Sequence, residues 1–373
     1  ALHQGAMGFT ASRTTKHRAA DGSYTPSLSA AEPELFGLAR AMRRAGKGVI
    51  EVNSDFGAGD FDRLRAAAEV AGRPLSLLLI QVDNAPGLWE ETLAGIDKAV
   101  ADGLDVTAQT GSRAVGVLMS LRSTVHPFIT HPLWLEMAAL GEDERLARII
   151  ADPQLRARMV SERPDDGHAR WMNKDIEPDP ANSVAAQARA RGIDPFMHML
   201  NLLLANDGHT ILLHQFENYT AGDLRVVEQL LKSPNSVCGV ADGGAHVGLI
   251  CDSSSPTTLL SFWARDRKRG PLLPLELLVH KQTQATARAY GLLDRGVIAP
   301  GYRADLNLID FDALGVQKPY IAHDLPAGGR RILQRSTGYR HTFLRGIEVS
   351  TNGETTGARP GRLMRGAQPA PRR

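Results

Sequence analysis

The segment Gly239-Val240-Ala241-Asp242-Gly243-Gly244-Ala245-His246 places one carboxylate where an apolar run stops and a glycine turn begins. The run before it, Ser236-Val237-Cys238-Gly239-Val240, reads as a short buried strand. In a barrel of parallel strands the C-terminal strand ends carry the chemistry, which makes Asp242 a candidate site residue. The same aspartate would equally shape an Asp-Gly turn or cap the next helix, and this segment alone leaves both readings open.

A carboxylate at a strand end needs a sheet to hold it there. Apolar runs alternate with helical patterns along the chain, the signature of parallel strands joined by crossover helices. Strands are expected at Ala6–Ala11, Gly48–Asn53, Leu75–Val82, Leu104–Gln109, Thr210–Phe216 and Val237–Ala241. Helices are expected at Glu32–Ala45, Phe61–Ala71, Trp89–Asp102 and Ala221–Lys232, then at Pro256–Lys268 and Leu275–Leu292. Six strands suit a doubly wound open sheet; a closed barrel needs eight and would lack two on the N-terminal side.

Spacing is regular except from Gly111 to Asn206, a long stretch rich in proline and charge with helical patches at Asp143–Ile150, Ser183–Ala190 and Pro195–Ala205. Insertions of this length are commonly lids or substrate walls. Its His126 and His131 each precede proline and are expected to pack loops or lie on the surface. After Leu293 the texture changes to a turn and then a strand within Gly296–Asp310, and to a strand pair at His341–Arg345 and Ile347–Ser350, before a tail rich in Gly, Pro and Arg. The expected organisation is therefore residues 1–293 as a barrel with an insertion over about 111–206, and residues 294–373 as a small β appendage and tail.

With 43% hydrophobic and 23% charged residues over 373, the composition is that of a globular protein with ample length for a large core. A net charge of +2 gives no bulk electrostatic reason to expect nucleic acid or an anionic membrane. Cys238 and Cys251 are the only cysteines, which fits a reducing compartment and excludes a disulfide framework. No stretch approaches the roughly 20 apolar residues of a spanning helix, and no signal peptide is visible. The cytoplasm is the expected location. The chain opens on Ala1 and runs within a few residues into a strand, so it is expected to lack an N-terminal part.

Three separated strings carry a resemblance to a known family. Gln282-Thr283 to Ala287, Tyr290-Gly291-Leu292, Asp294-Arg295-Gly296, Pro300-Gly301, Ala304-Asp305-Leu306 and Asp310 resemble the C-terminal signature of the amidohydrolase superfamily. Gly5-Ala6-Met7-Gly8-Phe9-Thr10-Ala11-Ser12-Arg13 resembles the GAxGFSTS segment of its N-acyl-D-amino-acid deacylases, and Thr356-Gly357-Ala358-Arg359-Pro360-Gly361-Arg362-Leu363 their TGxxPGRxLR ending. The resemblance implies a (β/α)8, TIM-like metallo-dependent hydrolase barrel, here missing its first two strands, plus a small C-terminal β-sandwich. It also implies hydrolysis of an N-acyl-D-amino acid or related amide by a water bound to a divalent metal, zinc being expected. Asp242 then corresponds to the aspartate that ends the eighth strand, binds metal and water, and shuttles a proton to the leaving nitrogen; Ala241 replaces the serine of the family's SDG. A bound metal lowers the pKa of water to about 7 in good sites, and a nearby carboxylate can accept its proton.

The departures are as informative. The His-x-His pair and the bridging cysteine expected on the first two strands are absent, and so are those strands. Where the family supplies histidines, in THxR and SHHK, this chain reads Glu51-Val52-Asn53-Ser54-Asp55 and Leu79-Ile80-Gln81-Val82-Asp83. Glu51, Asp55, Gln81 and Asp83 would serve as oxygen ligands or substrate contacts, or simply solvate strand ends, so metal number and identity stay open. His246 is a candidate contact to substrate or metal, or a supporting residue. Cys251 is assigned no nucleophilic role, because a free cysteine is usually a packing residue. Arg13, Lys16 and His17 offer cations where a substrate carboxylate could dock, and Asn218 and Tyr219 could hydrogen-bond an amide. The other readings are a chain that is an inactive, incomplete scaffold, and a cyclic-amide hydrolase, which would expect a modified lysine that none of these strands ends in.

Overall fold

The computed structural model describes the whole chain except residues 20, 29, 163–171, 174 and 373, and it is a mixed α/β structure. Four parallel strands lead: β1 (Gly8–Arg13), β2 (Val49–Ser54), β3 (Leu75–Leu78) and β4 (Val106–Thr110). Three antiparallel strands follow, β5 (Val115–Met119), β6 (Met172–Asn173) and β7 (Leu212–Glu217), with β7 between the other two. The chain then returns through β8 (Ser236–Cys238), which pairs in parallel with β4 and completes a five-stranded sheet in the order β1-β2-β3-β4-β8.

The crossover helices form where periodicity puts them. The helix Glu32–Ala45 begins on acidic residues with Pro33 in its first turn and ends on Gly46 at φ 62, whose N–H reaches back to the Met42 and Arg43 carbonyls. Leu35, Ala39 and Met42, spaced i, i+4, i+7, are its buried stripe. The helices Asp60–Ala71, Leu88–Ala101 and Arg225–Lys232 bury Leu64, Ile96 and Leu230 in the same core as Ile50, Val52, Leu75, Leu77 and Val106. Each such side chain, fully buried, contributes roughly 1.5–3 kcal/mol. At the β1 edge Gly8 is required by close approach: a Cβ there would lie 2.1 Å from the Val49 carbonyl oxygen. Gly8→Ala is expected to destabilise the protein by about 1–3 kcal/mol, read as a lower urea midpoint.

The expected strand at Thr210–Phe216 exists as β7 but does not join the parallel sheet. Its residues pair antiparallel with β5 and β6, and its end meets the residues after β3 through an isolated bridge from Glu217 to Val82. The parallel strands thus number five among the described residues, against the six expected. The insertion is also more than a loop. Phe128, Trp134, Ile149, Met159, Leu200 and Leu203 form a core of their own.

Inside that core His126 is 3% exposed, stacked edge-on against Trp134 with ring centroids 4.3 Å apart, and its Nδ1 accepts from the Phe128 N–H. Burial, with Arg330 and Arg145 adding to it, pushes its pKa down to about 3. In the unfolded chain the same imidazole titrates near 6.5. Above that pH it costs nothing; as pH falls from about 6.5 toward 3 the unfolded state binds a proton that the folded state refuses, and stability drops. His126→Asn should flatten this acid dependence, measured as the loss of unfolding free energy between pH 7 and pH 4.

After β8 the expected helices at 256–268 and 275–292 each contain a π turn, at Phe262–Asp266 and Lys281–Ala285. Lys281 is 3% exposed; its ammonium donates to the Ser236 carbonyl and hydroxyl at 2.8 and 2.9 Å and to the Ser233 carbonyl, which anchors the start of β8. The C-terminal region supplies β9 (Leu306–Ile309), β10 (Gly315–Val316), β11 (Tyr320–Leu325), β12 (Gly329–Leu333), β13 (Ser336–Thr337), β14 (Tyr339–Leu344), β15 (Ile347–Thr351) and β16 (Glu354–Thr355). The strands β16-β15-β14-β9 form one antiparallel sheet, while β11 and β12 form a hairpin that reaches back to the segment after β8, where the Ile332 N–H donates to the Val247 carbonyl. The tail returns to the start of the chain through Gly366 N–H to the Gly5 carbonyl and Arg365 to the Gln4 carbonyl. No helix among the described residues is long and apolar enough to cross a membrane.

Candidate functional site

The C-terminal ends of the parallel strands gather most of the polar residues singled out from the sequence. After β1 the chain folds into a turn fixed by Asp55, which follows β2. Asp55 accepts from the Thr14 hydroxyl at 2.5 Å, the Thr15 N–H at 2.8 Å and the Thr15 hydroxyl at 3.0 Å. Burial works to raise the Asp55 pKa, but these hydrogen bonds and the Lys16 charge outweigh it and hold it below the ordinary value. The turn sends the Lys16 ammonium across to the carboxylate of Glu217, at the end of β7. Glu217 is buried, and burial together with Asp55 and Asp83 pushes its carboxyl above the usual range in spite of Lys16. His17 folds back so that its Nδ1 lies 2.5 Å from the Ser12 hydroxyl.

Asn218, next to Glu217, is fully buried with a left-handed backbone at φ 59. Its Oδ1 accepts from the Gln81 N–H at 2.7 Å and its own N–H donates to the Gln81 carbonyl, clasping β7 to the residues after β3. Tyr219 is 4% exposed; its hydroxyl donates to the Pro178 carbonyl and accepts from Arg269 at 3.1 Å, tying the insertion to the chain beyond β8. Deeper in the sheet, Gln109 on β4 donates to Glu51 at 3.1 Å, Ser76 at 2.8 Å and the Tyr290 hydroxyl at 2.8 Å.

The segment after β8 is closely shaped. The Gly239 N–H donates to the Thr110 carbonyl, and a Cβ on Gly239 would stand 3.1 Å from Gln109 Oε1, so glycine lets β8 lie against the Gln109 side chain. Val240 (φ 56), Asp242 (φ 23) and His246 (φ 47) all have positive φ, uncommon for residues other than glycine and costly for a β-branched one. Strain of this kind clusters at functional sites. The Asp242 and His246 side chains are exposed on this turn.

Arg13 directs its guanidinium at the Ser27 and Ala30 carbonyls, 3.5 Å from each, and Lys16 is held by Glu217. Of the residues expected to meet substrate, then, Asp242 and His246 face solvent, Arg13 and Lys16 are committed to neighbours, and Asn218 and Tyr219 hold the scaffold together. Glu217 was not foreseen, although a carboxylate directly before Asn218 at a strand end was the available signal. Gln109 and Tyr290 were also missed. Cys238 and Cys251 have thiols pushed up by burial to about 12 and about 11, which makes them packing residues rather than nucleophiles.

The donor set does not fit a metal by itself. Among the described residues no group of three or more His, Cys, Asp or Glu side chains converges on a point where an ion could be held. Asp242 offers one ligand, whereas a catalytic zinc site takes three from the protein.

A protein-family model described as the amidohydrolase family matches residues 1–349, nearly the full length. The chain belongs to the amidohydrolase family. This amidohydrolase is 26% identical over 374 aligned residues to an N-acyl-D-glutamate deacylase of Alcaligenes xylosoxydans xylosoxydans, an alignment spanning 98% of this chain and 62% of that enzyme. It is 36% identical over 109 residues to an N-acyl-D-aspartate deacylase of the same organism, covering 29% of this chain and 19% of that enzyme. Two solved D-aminoacylase structures, one of them studied for its binuclear metal center, superimpose with TM-scores of 0.53 and 0.52 at 19% identity. Each superposition covers 95% of this chain and 61% of the other. At that identity the likeness concerns the fold. The amidohydrolase chain spans about three fifths of the length of the relatives it matches along its whole course.

Proposed function

We propose that this amidohydrolase cleaves the amide bond of N-acyl-D-amino acids or closely related amides, with Asp242 as the proton-handling carboxylate. The observation that supports this most is the placement of Asp242: exposed, on a strained turn, just past the C-terminal end of a parallel strand. In the reaction a water oxygen bonds to the amide carbonyl carbon while Asp242 takes its proton. The carbon–nitrogen bond then breaks as that proton passes to the departing nitrogen, leaving a carboxylic acid and an amine, which exchange a proton to become carboxylate and ammonium. A divalent metal, zinc in the first instance, would supply activation of the water in this reading, and Asp242 would be its one ligand among the described residues.

The accompanying architecture is an incomplete (β/α)8-type barrel over residues 1–293, with the insertion at about 111–206, and a small β-sandwich portion over 294–373. His246, on the same turn, and Arg13 and Lys16, beside the β1 end, are the candidates for substrate contact, the two cations by exchanging their present partners for substrate. Asn218 and Tyr219 contribute by holding β7 and the insertion in place.

The absence of converging donors among the described residues favours a second reading, an amidohydrolase scaffold that does not itself turn over amides. Metal analysis of the purified protein, run beside hydrolysis of a panel of N-acetyl-D- and N-acetyl-L-amino acids, separates the two. Bound divalent metal with preferential release of D-amino acids supports the hydrolase. Release of no amino acid from any panel member, with or without added zinc, overturns it in favour of the scaffold.

A further inference from the structure

The turn that carries Asp242 has no core of its own. None of residues 239–250 is buried, and residues 242–246 are exposed throughout. Burial therefore does not fix a backbone that takes positive φ at Val240, Asp242 and His246. Such conformations persist only where the surroundings over-determine them. Inside the turn the Ala245 N–H donates to the Asp242 carbonyl at 3.2 Å, and the Leu249 and Ile250 N–H groups donate to the His246 carbonyl at 2.8 and 3.1 Å. These bonds shape the turn without tying it to the rest of the protein.

The ties come from three sides. At the near end the Gly239 N–H donates to the Thr110 carbonyl of β4 at 2.9 Å, and at the far end the Leu118 N–H of β5 donates to the Leu249 carbonyl at 2.7 Å. Between them the hairpin of β11 and β12 delivers the Ile332 N–H to the Val247 carbonyl at 2.7 Å. Just past β12, Gln334 anchors that hairpin. Its Oε1 accepts from the Ser254 hydroxyl at 2.5 Å and from Arg113 at 3.4 Å, while its Nε2 donates to the Gln317 carbonyl at 2.8 Å. Arg113 in turn donates to the Cys251 carbonyl at 3.3 Å and pairs with Asp252, which closes the junction on the segment following the turn. At the start of β12, Arg330 pairs with Glu142 of the insertion.

We propose that this hairpin is a strap that holds the Asp242 turn from outside, with Gln334 as a positioning residue for the carboxylate. The catalytic part of the proposal rests on the deacylase reading. A carboxylate on an unburied turn serves as a base only while its backbone is held, because a small misplacement of a reacting group costs a large factor in rate. Loosening the strap should leave substrate binding nearly intact and slow the proton transfer.

The test follows amide hydrogen exchange across residues 239–254 beside hydrolysis of the best member of the N-acetyl-D-amino acid panel. Gln334→Leu keeps most of the side-chain volume and removes the acceptor. It should speed exchange at Ala245, Leu249, Ile250 and Ile332 about tenfold while the amides of β2 and β3 stay protected. It should also lower kcat about tenfold with KM within about twofold of the parent. Gln334→Glu returns an acceptor to Ser254 and Arg113 and should bring both readings back to within about threefold of the parent. Should Gln334→Leu fail to fold, Arg330→Gln releases the other end of the hairpin, and exchange at Ile332 should rise about two- to threefold. Exchange that stays at the parent rate in the folded variant overturns the strap and leaves the hydrolase reading untouched. A rise in exchange with kcat unchanged overturns the positioning role of Gln334. A rise in exchange in a protein that hydrolyses no panel member would leave the strap standing and remove the hydrolase reading.

Discussion

Asp242→Asn should lower amide hydrolysis by about 10²- to 10⁴-fold, the range over which a positioned proton-transfer group contributes. Asparagine is the informative replacement. It has the shape of aspartate and tolerates positive φ, so the turn at φ 23 is kept while the base is lost. Asp242→Ala should be at least as damaging to turnover, with a further cost of up to about 1 kcal/mol for placing alanine in that backbone. Because the side chain is exposed, the urea midpoint of Asp242→Asn should stay close to that of the parent. The measurement is kcat/KM on the best N-acyl-D-amino acid beside the unfolding curve. Activity retained above a tenth of the parent, in a folded variant, would remove Asp242 from the mechanism.

Arg267→Ala carries the largest expected loss of stability. Arg267 is 6% exposed, and its guanidinium makes two hydrogen bonds to Glu177, at 3.0 and 3.1 Å, and one to Glu228 at 2.6 Å, while lying over the Trp263 ring at 4.5 Å. Glu177 is itself 5% exposed and also accepts the Leu224 N–H at 2.8 Å. The cluster joins the insertion, the helix before β8 and the segment after the first π turn. Truncation strands a buried carboxylate without its partner, a change that typically costs 3–5 kcal/mol. Pairing Arg267→Met with Glu177→Gln removes both charges yet keeps an acceptor for Leu224, and should recover part of the loss. Urea unfolding followed by tryptophan fluorescence reads both variants. A loss below about 1 kcal/mol for Arg267→Ala would mean that water reaches Glu177 and that the cluster is not closed.

What could be read from the chain was periodicity and punctuation. The helix Glu32–Ala45 lies where the apolar spacing placed it, and four of the six expected strands lie within about two residues of β1, β2, β4 and β7, while β8 ends at Cys238, three residues early. Strand β3 starts at Leu75 as expected but ends at Leu78, four residues early, where the chain turns to meet Asn218. The signature strings around Gln282–Asp310 pointed to the amidohydrolase family that the match over residues 1–349 then established. These are short-range properties: burial of one face, φ preference and capping act within a turn or two of the residue that carries them.

Partner choice is a different matter. The apolar run ending in Leu212–Glu217 indicates a strand, but its residues are the same whether it pairs in parallel with β4 or antiparallel with β5. The insertion, by closing its own core around Met159 and Leu200, brought β5 and β6 alongside and took β7 out of the parallel sheet. Lys16 and Glu217 meet across 201 residues of chain. Neither residue's neighbours in sequence foretell an ion pair that depends on where two strand ends stop. By itself the sequence determined the family, most of the elements and Asp242 as a strand-end carboxylate. Tertiary structure alone decided which charges pair with which, because Coulomb and hydrogen-bond partners are chosen by distance in space, which local periodicity does not encode.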